Sequence, residues 1–450
     1  MSIDWLIERM RARGQAPALE WRGGTATFSE IVDAADKFEP VLDAHCVRPG
    51  EVVGFVGDYS PNASALLLAL IRRGAIAVPL TASVAPRRQE MLALAQASHC
   101  FTFADDDSWR HESLGVTATH EMLRTLAATG RPGLILFTSG STGPTKATLH
   151  DFGRVLEKFK VQRPRRTTLT FLLLDHLGGI NTLFSGLSCG GTVVAPATRD
   201  PDEICRLIER HHVTLLPASP TFLGLLLLSE AYLRFDQSSL TLITYGTEPM
   251  PESTLRRMRE AFPNATFQQT YGLSEIGIPR SKSKSNDSLY VKLDGDGFET
   301  KVVDGVLWIR SKSAMLGYLN APSPFDADGW MNTGDAVEVD GDYLRILGRT
   351  TELINVGGNK VSPADVESVL LELPNIEDVV VYAARNPVTG QVVGARIKLE
   401  VPEPTEVLRL RIRAACRDRL ARHQIPVVVA IVDEPLFGAR FKKQRRPAAT

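Results

Sequence analysis

The stretch that decides the fold is Leu134-Ile-Leu-Phe-Thr-Ser-Gly-Ser-Thr-Gly-Pro-Thr-Lys146, where an apolar run of strand length breaks into hydroxyl and glycine residues and closes on a lysine. Glycines at Gly140 and Gly143 let the backbone fold tightly. Its amide N–H groups, with the hydroxyls of Thr138, Ser139, Ser141 and Thr142, can then surround phosphate oxygens, and Lys146 supplies the charge. A P-loop NTPase needs glycine directly before that lysine and Ser or Thr directly after it. Thr145 and Ala147 hold those places, which excludes that motif.

On either side of this stretch the pattern alternates. It predicts strands over 50–57, 75–79, 191–195, 213–217 and 240–245, and helices over 61–73, 87–97, 202–212, 220–228 and 251–262. Such alternation implies mostly parallel sheets with helices on their faces. From about residue 290 the texture changes to short segments, and Asp304-Gly305 between apolar runs predicts a hairpin. A β-rich subdomain is therefore expected at about 290–348. The remaining hundred or so residues predict a helix over 363–373, a strand over 379–383 and a helix over 406–421, enough for a domain. The expected fold is α/β, with a large N-terminal domain of mostly parallel sheets over 1–348 and a small α+β domain over 349–450.

Composition bounds the function. A chain of 450 residues with 44% hydrophobic and 23% charged residues is that of a soluble globular protein of about two to three domains. A net charge of −1 provides no basic field for nucleic acid or anionic lipid. The basic run at 440–446 reads as a solvated tail. Cys46, Cys100, Cys189, Cys205 and Cys416 are odd in number and have no Cys-x-x-Cys spacing, which argues against disulfides or zinc and fits a reducing cytoplasm. The N-terminus interleaves charges with apolar residues, unlike a signal peptide. No stretch reaches the roughly 18 apolar residues of a membrane span, so stable membrane insertion is not expected.

The opening stretch resembles the phosphate loop of the adenylate-forming superfamily, which comprises acyl-CoA synthetases, luciferases and peptide-synthetase adenylation domains. Its usual form is Thr-Ser-Gly-Ser-Thr-Gly-x-Pro-Lys-Gly. Here the proline comes one place early, at Pro144, and Ala147 replaces the last glycine. Further motifs follow in the family's order. Tyr271-Gly272-Leu-Ser274-Glu275 is similar to Tyr-Gly-x-Thr-Glu. Trp330-Met-Asn-Thr-Gly-Asp335 is similar to Trp-x-x-Thr-Gly-Asp, and Gly348-Arg349 stands fourteen residues after its aspartate. Gly357-Gly358-Asn-Lys360 resembles the glycine loop of the pantetheine channel, and Phe441-Lys442-Lys-Gln-Arg445 the family's closing Gly-Lys-x-x-Arg.

The resemblance assigns roles. Glu275 is implied as the magnesium ligand, since a carboxylate oxygen suits a hard cation. Ser274 would lie near the alpha phosphate and Tyr271 against the adenine, with Gly246, Thr247 and Glu248 beside the base unless that segment is a plain strand-ending turn. Asp335 would accept both ribose hydroxyls, joined by Arg349. Lys442 would bridge the acid's carboxylate and the phosphate, with Lys443 a rival for that role. Asp175-His176-Leu-Gly178-Gly179 resembles the floor of the acyl pocket, where His176 would flank the carboxylate. Amino-acid-activating relatives carry an aspartate where His176 falls. Asp175 is one place off, so an alpha-amino group is not required of the substrate. A hinge is implied near Arg349, with Thr351 where the family has Asp or Lys, making residues 349–450 a mobile domain.

The activity implied is ATP- and magnesium-dependent conversion of a fatty or aryl acid to an acyl adenylate with release of pyrophosphate, then transfer to the thiol of CoA. CoA is expected because no carrier-protein domain is attached. Two alternatives stay open: loading of a separate carrier protein's phosphopantetheine, and a nucleotide-binding relative without turnover, which Ala147, Thr351 and Phe441 raise. A homodimer is left open as the assembly.

Overall fold

The computed structural model describes residues 3–139, 144–295, 297–438 and 441–445. Four sheets organise them. The first runs Thr266–Gln269, Leu242–Tyr245, Leu215–Ala218, Thr168–Leu169, Val193–Ala195, Pro17–Trp21 and Gly24–Thr27, parallel except for its last pair. The second runs Gly317–Tyr318, Thr145–Asp151, Gly133–Ser139, Ile76–Leu80, Val52–Val56, His99–Phe103 and Trp109–Ser113, with a parallel centre and antiparallel edges. Parallel strands buried on both faces read as continuous apolar runs. Val52–Val56 and Ile76–Leu80 are buried at nearly every position, as that rule demands.

The helix Pro61–Arg73 shows how sequence sets the local structure. Ser60 caps its start by accepting the Ala63 N–H at 3.2 Å, Pro61 takes the first turn, where no donor is needed, and Gly74 ends it at φ +71°. Its middle is buried all round, consistent with a helix inside a large core.

The third sheet is wholly antiparallel: Arg280–Ser283, Tyr290–Asp294, Tyr343–Arg349, Met331–Asp340, Val306–Ser311 and Phe298–Val303. The predicted hairpin is present, with Asp304 at φ +51° and Gly305 at φ +74° in the two turn positions. The fourth sheet holds Asn359–Val361, Ile354–Val356, Gly390–Leu399, Ile376–Asn386 and Val428–Ile431 with the helices Pro363–Leu370 and Thr405–Cys416. The α/β class with a β-rich region and a small α+β unit is the one read from the sequence.

Some boundaries differ. The helix expected over 87–97 is Arg88–Leu94, preceded by a 3-10 turn over Ala82–Arg87. It stops early because Gln96 takes φ +54° and turns the chain toward the strand His99–Phe103. The helix expected over 406–421 ends at Cys416. The phosphate stretch is a hairpin: Gly133–Ser139 pairs antiparallel with Thr145–Asp151, which places Lys146 on a strand opposite Thr138.

Candidate functional site

Two adjacent parallel strands, Leu242–Tyr245 and Thr266–Gln269, deliver the first half of the site. Their C-terminal ends release the segments 246–248 and 270–275, the usual place for a ligand crevice in a parallel sheet. Gly246 is required there, since a Cβ would stand 2.6 Å from the Thr270 carbonyl oxygen. Thr247 adopts φ +74°, a costly conformation for a β-branched residue. Glu248, expected beside the base, gives both oxygens to backbone amides: Thr221 N–H at 2.8 Å and Lys443 N–H at 3.2 Å. Its carboxylate thereby ties the helix Pro220–Ser229 to the C-terminal tail. Gly272 packs under Ile278, whose Cγ1 lies 2.8 Å from where a Cβ would project.

The antiparallel sheet supplies the second half. Asp335 and Arg349 are register partners on Met331–Asp340 and Tyr343–Arg349, and Arg349 Nε lies 3.0 Å from Asp335 Oδ1. The Tyr271 hydroxyl donates to Asp335 Oδ2 at 2.6 Å, with the tyrosine ring buried among Ile276, Val291, Leu307 and Met331. Burial pushes the Asp335 carboxyl above its usual range, and the Arg349 guanidinium is the strongest opposing influence. The charge of Lys442 also lowers it and that of Glu275 raises it, so all these groups lie within electrostatic reach of one carboxylate. Burial, and then the Asp335 charge, drives the Tyr271 phenol well above its ordinary value, which keeps its hydroxyl a donor.

Lys146 joins the same cluster through a residue the motifs did not single out. Its ammonium lies 4.8 Å from the centroid of the Tyr318 ring, and the Tyr318 hydroxyl donates to Glu275 Oε1 at 2.5 Å. Asn320 braces the backbone beneath the lysine, accepting the Ala147 N–H at 3.0 Å and donating to the Thr145 carbonyl at 2.8 Å. Ala147 is fully buried in an apolar cluster, so its methyl is accommodated where the family has glycine. Gly140, Ser141, Thr142 and Gly143 lie outside the described residues, as does the side chain of Ser139. Ser274 sits half-buried in the turn before Glu275.

His176 belongs to a second group. It precedes the helix Leu177–Cys189, with Nε2 3.7 Å from Oδ1 of buried Asp175, while Asp175 Oδ2 accepts from the Thr81 hydroxyl at 3.0 Å. Gly178 and Gly179, expected at substrate, have a packing reason to be glycine. A Cβ on Gly178 would meet Leu172, and one on Gly179 would meet the Leu173 carbonyl and the Tyr59 hydroxyl. Gly357 and Gly358 form the exposed turn between Ile354–Val356 and Asn359–Val361, at φ +57° and +95°. The Gly358 N–H donates to Asn355 Oδ1 at 2.9 Å.

The described part of the tail, residues 441–445, is not the solvated run its composition suggested. Phe441 takes φ +51° where the family has glycine, and its ring centroid lies 5.4 Å from Phe171, 5.6 Å from Phe222 and 5.5 Å from Phe437. Its carbonyl accepts from the Ser219 hydroxyl at 2.7 Å. Lys443 pairs with Asp378 and donates to the Val379 carbonyl at 2.8 Å, and Arg445 pairs with buried Glu367. The two lysines therefore differ in surroundings. Lys442 acts on Asp335, and Lys443 is held by Asp378. These tail contacts join residues far apart in sequence, and no local spacing announced them.

Residues 6–319 match the family model described as AMP-binding enzyme, and 365–437 the model described as AMP-binding enzyme C-terminal domain. The chain is 26% identical to 2-succinylbenzoate–CoA ligase of Bacillus subtilis, covering 96% of this chain and 94% of that one. It is 27% identical to indoleacetate–CoA ligase of Aromatoleum aromaticum, with the same coverages of 96% and 94%. In fold it is similar to the crystal structure of an anthranilate CoA ligase in complex with anthranoyl-AMP, at TM-score 0.82 and 20% identity over 98% of this chain and 95% of that one.

Proposed function

The chain belongs to the AMP-binding enzyme family, and from that premise we propose that it activates a carboxylic acid with ATP, releases pyrophosphate, and passes the acyl group from the adenylate to the thiol of CoA. One observation carries the proposal: buried Asp335, paired with the half-exposed Arg349, capped by the Tyr271 hydroxyl and within reach of the charges of Lys442 and Glu275. The names of the relatives favour an aryl acid over a fatty acid.

In the first step an acid oxygen bonds to the alpha phosphorus as the bond to the pyrophosphate oxygen breaks. In the second a thiolate sulfur bonds to the carbonyl carbon and AMP leaves. No side chain becomes covalently attached, so the residues act through position and charge. Asp335 receives the vicinal ribose hydroxyls, and Arg349 holds that carboxylate in place. Lys146, with Thr138 and the loop that follows it, offsets charge on the phosphates. Lys442 spans the acid's carboxylate and the alpha phosphate, and His176 flanks that carboxylate. Glu275 fits magnesium, because one carboxylate oxygen suffices when phosphates and water complete the coordination; the ion would neutralise phosphate charge. The Tyr318 hydroxyl orients Glu275 for that task.

For the second step, residues 349–450 turn as a unit near Thr351 and bring the 357–358 turn to the pantetheine arm. None of the described helices is long and apolar enough to cross a membrane, and all five cysteines are free thiols. Both observations support a cytoplasmic setting. The test is a screen of fatty and aryl acids for ATP-dependent pyrophosphate release, followed by mass spectrometry of the product. A CoA thioester is expected. Release only with a carrier protein, or ATP binding without release, would overturn the reading.

A further inference from the structure

Lys158 lies in the turn Glu157–Phe159, half-buried, with Nζ 3.3 Å from the Ile278 carbonyl oxygen and 5.1 Å from the Phe159 ring centroid. An ammonium has three donors, and a neutral carbonyl answers only one of them. Two more cations stand near. Arg163 acts on Lys158, and Arg280 acts on Arg163. Among the described residues no carboxylate pairs with any of the three. A like charge beside a partly desolvated ammonium is costly unless an anion joins them.

The place of this cluster narrows what the anion can be. Ile278, whose carbonyl holds Lys158, packs directly on Gly272 of the nucleotide motif. The neighbouring Phe159 ring lies 6.2 Å from Phe184 of Leu177–Cys189, the helix that begins beside His176. Lys158 is thus linked through Ile278 to the nucleotide motif and through Phe159 to the helix that begins beside His176. We infer that Lys158, with Arg163 and Arg280 at the rim, forms an anion subsite for a second carboxylate on the acid substrate. This rests on the acid-activating reading above.

A pH signature accompanies it. Burial, and secondarily the Arg163 charge, brings the Lys158 amine down to about 7. The groups facing it add no negative charge. Arg9 of the first helix bonds the Phe159 carbonyl at 3.1 Å and Arg280 stands on Arg280–Ser283, while Cys189 ends the neighbouring helix and acts on Arg163. Glu157, on the same turn, is engaged by Lys160 at 2.8 Å. Preference for a dianionic acid should therefore weaken as pH rises through that value.

The experiment is calorimetric titration of the full chain, with AMP present, against matched pairs: hexanoate and adipate, octanoate and suberate, benzoate and terephthalate or isophthalate. At least one diacid should bind about tenfold or more tightly than its monoacid at about pH 6, with the preference shrinking by about pH 8.5. Lys158→Ala should abolish the preference. Lys158→Arg should keep it and remove its pH dependence, because a guanidinium does not titrate in this range. Equal or better binding of every monoacid overturns the inference, as does an unchanged ratio in Lys158→Ala, or a loss of CoA affinity there in place of diacid preference. Pyrophosphate release is measured separately. Its absence with the diacid preference intact would overturn the ligase reading and leave the subsite standing, and binding of no acid at all would overturn both.

Discussion

Asp335 and Arg349 are direct partners across two antiparallel strands, so the fourteen-residue spacing between them is the length of a hairpin that returns the arginine to the aspartate. Tyr271, in the segment that follows the strand Thr266–Gln269 of the first sheet, adds the contact of its hydroxyl. Asp335→Ala should raise the Michaelis constant for ATP about tenfold or more, since two hydroxyls lose their shared acceptor. The affinity for the acid should change little. Equal use of 2′-deoxy-ATP and ATP by the unaltered enzyme would remove the ribose contact from the account.

Glu275→Gln keeps the hydrogen bond from Tyr318 but discards the charge. Adenylation should fall by about a hundredfold or more if that charge supplies a few kcal/mol in the transition state. Titrating magnesium in a pyrophosphate-release assay checks it, and near-normal turnover at saturation would contradict the assignment.

Lys442→Ala and Lys443→Ala should fail in different ways. The first should lose adenylate formation from the free acid and retain thioester formation from pre-formed acyl adenylate and CoA. The second leaves Asp378 buried without its cation, so it should lower the melting temperature or loosen the tail. If Lys443→Ala showed the half-reaction defect and Lys442→Ala did not, the two roles would be exchanged.

Phe441→Ala removes a ring packed on Phe171, Phe222 and Phe437. Phe441 is half-buried, so its loss should cost less than the roughly 3–5 kcal/mol of a fully buried aromatic, and relief of the positive φ offsets that only if glycine is used instead. The tail should become susceptible to limited proteolysis in Phe441→Ala, with adenylation reduced more than thioester formation. A tail as resistant as that of the parent would show that the ion pairs of Lys443 and Arg445 hold it alone.

Burial of His150 pushes its imidazole down to about 4. The unfolded chain, with an ordinary value of about 6.5, therefore binds more protons than the folded chain between those limits. The neutral histidine's share of stability is complete above about 6.5 and is lost as pH falls toward 4, an effect of a few kcal/mol. Urea midpoints across that range should fall less steeply in His150→Gln than in the parent. Parallel curves would mean that other groups govern acid unfolding.

What was legible in the sequence was what depends on neighbours in the chain. Alternating apolar runs gave the parallel sheets, Asp304-Gly305 gave a hairpin, and the short spacings of Tyr271 to Glu275 and Trp330 to Asp335 gave candidate site residues, because each is fixed by one turn of backbone. Tertiary structure alone decided the rest. Tyr318 reaches Glu275 across 43 residues and also faces Lys146, Glu248 reaches Lys443 across 195, and Phe441 seats itself on rings from the N-terminal half. A side chain's partner at such separation is chosen by the packing of whole sheets and helices, and local spacing carries no record of it. The same reason separates Lys442 from Lys443: adjacent and identical in sequence, they differ because the fold sets one within reach of Asp335 and the other against Asp378.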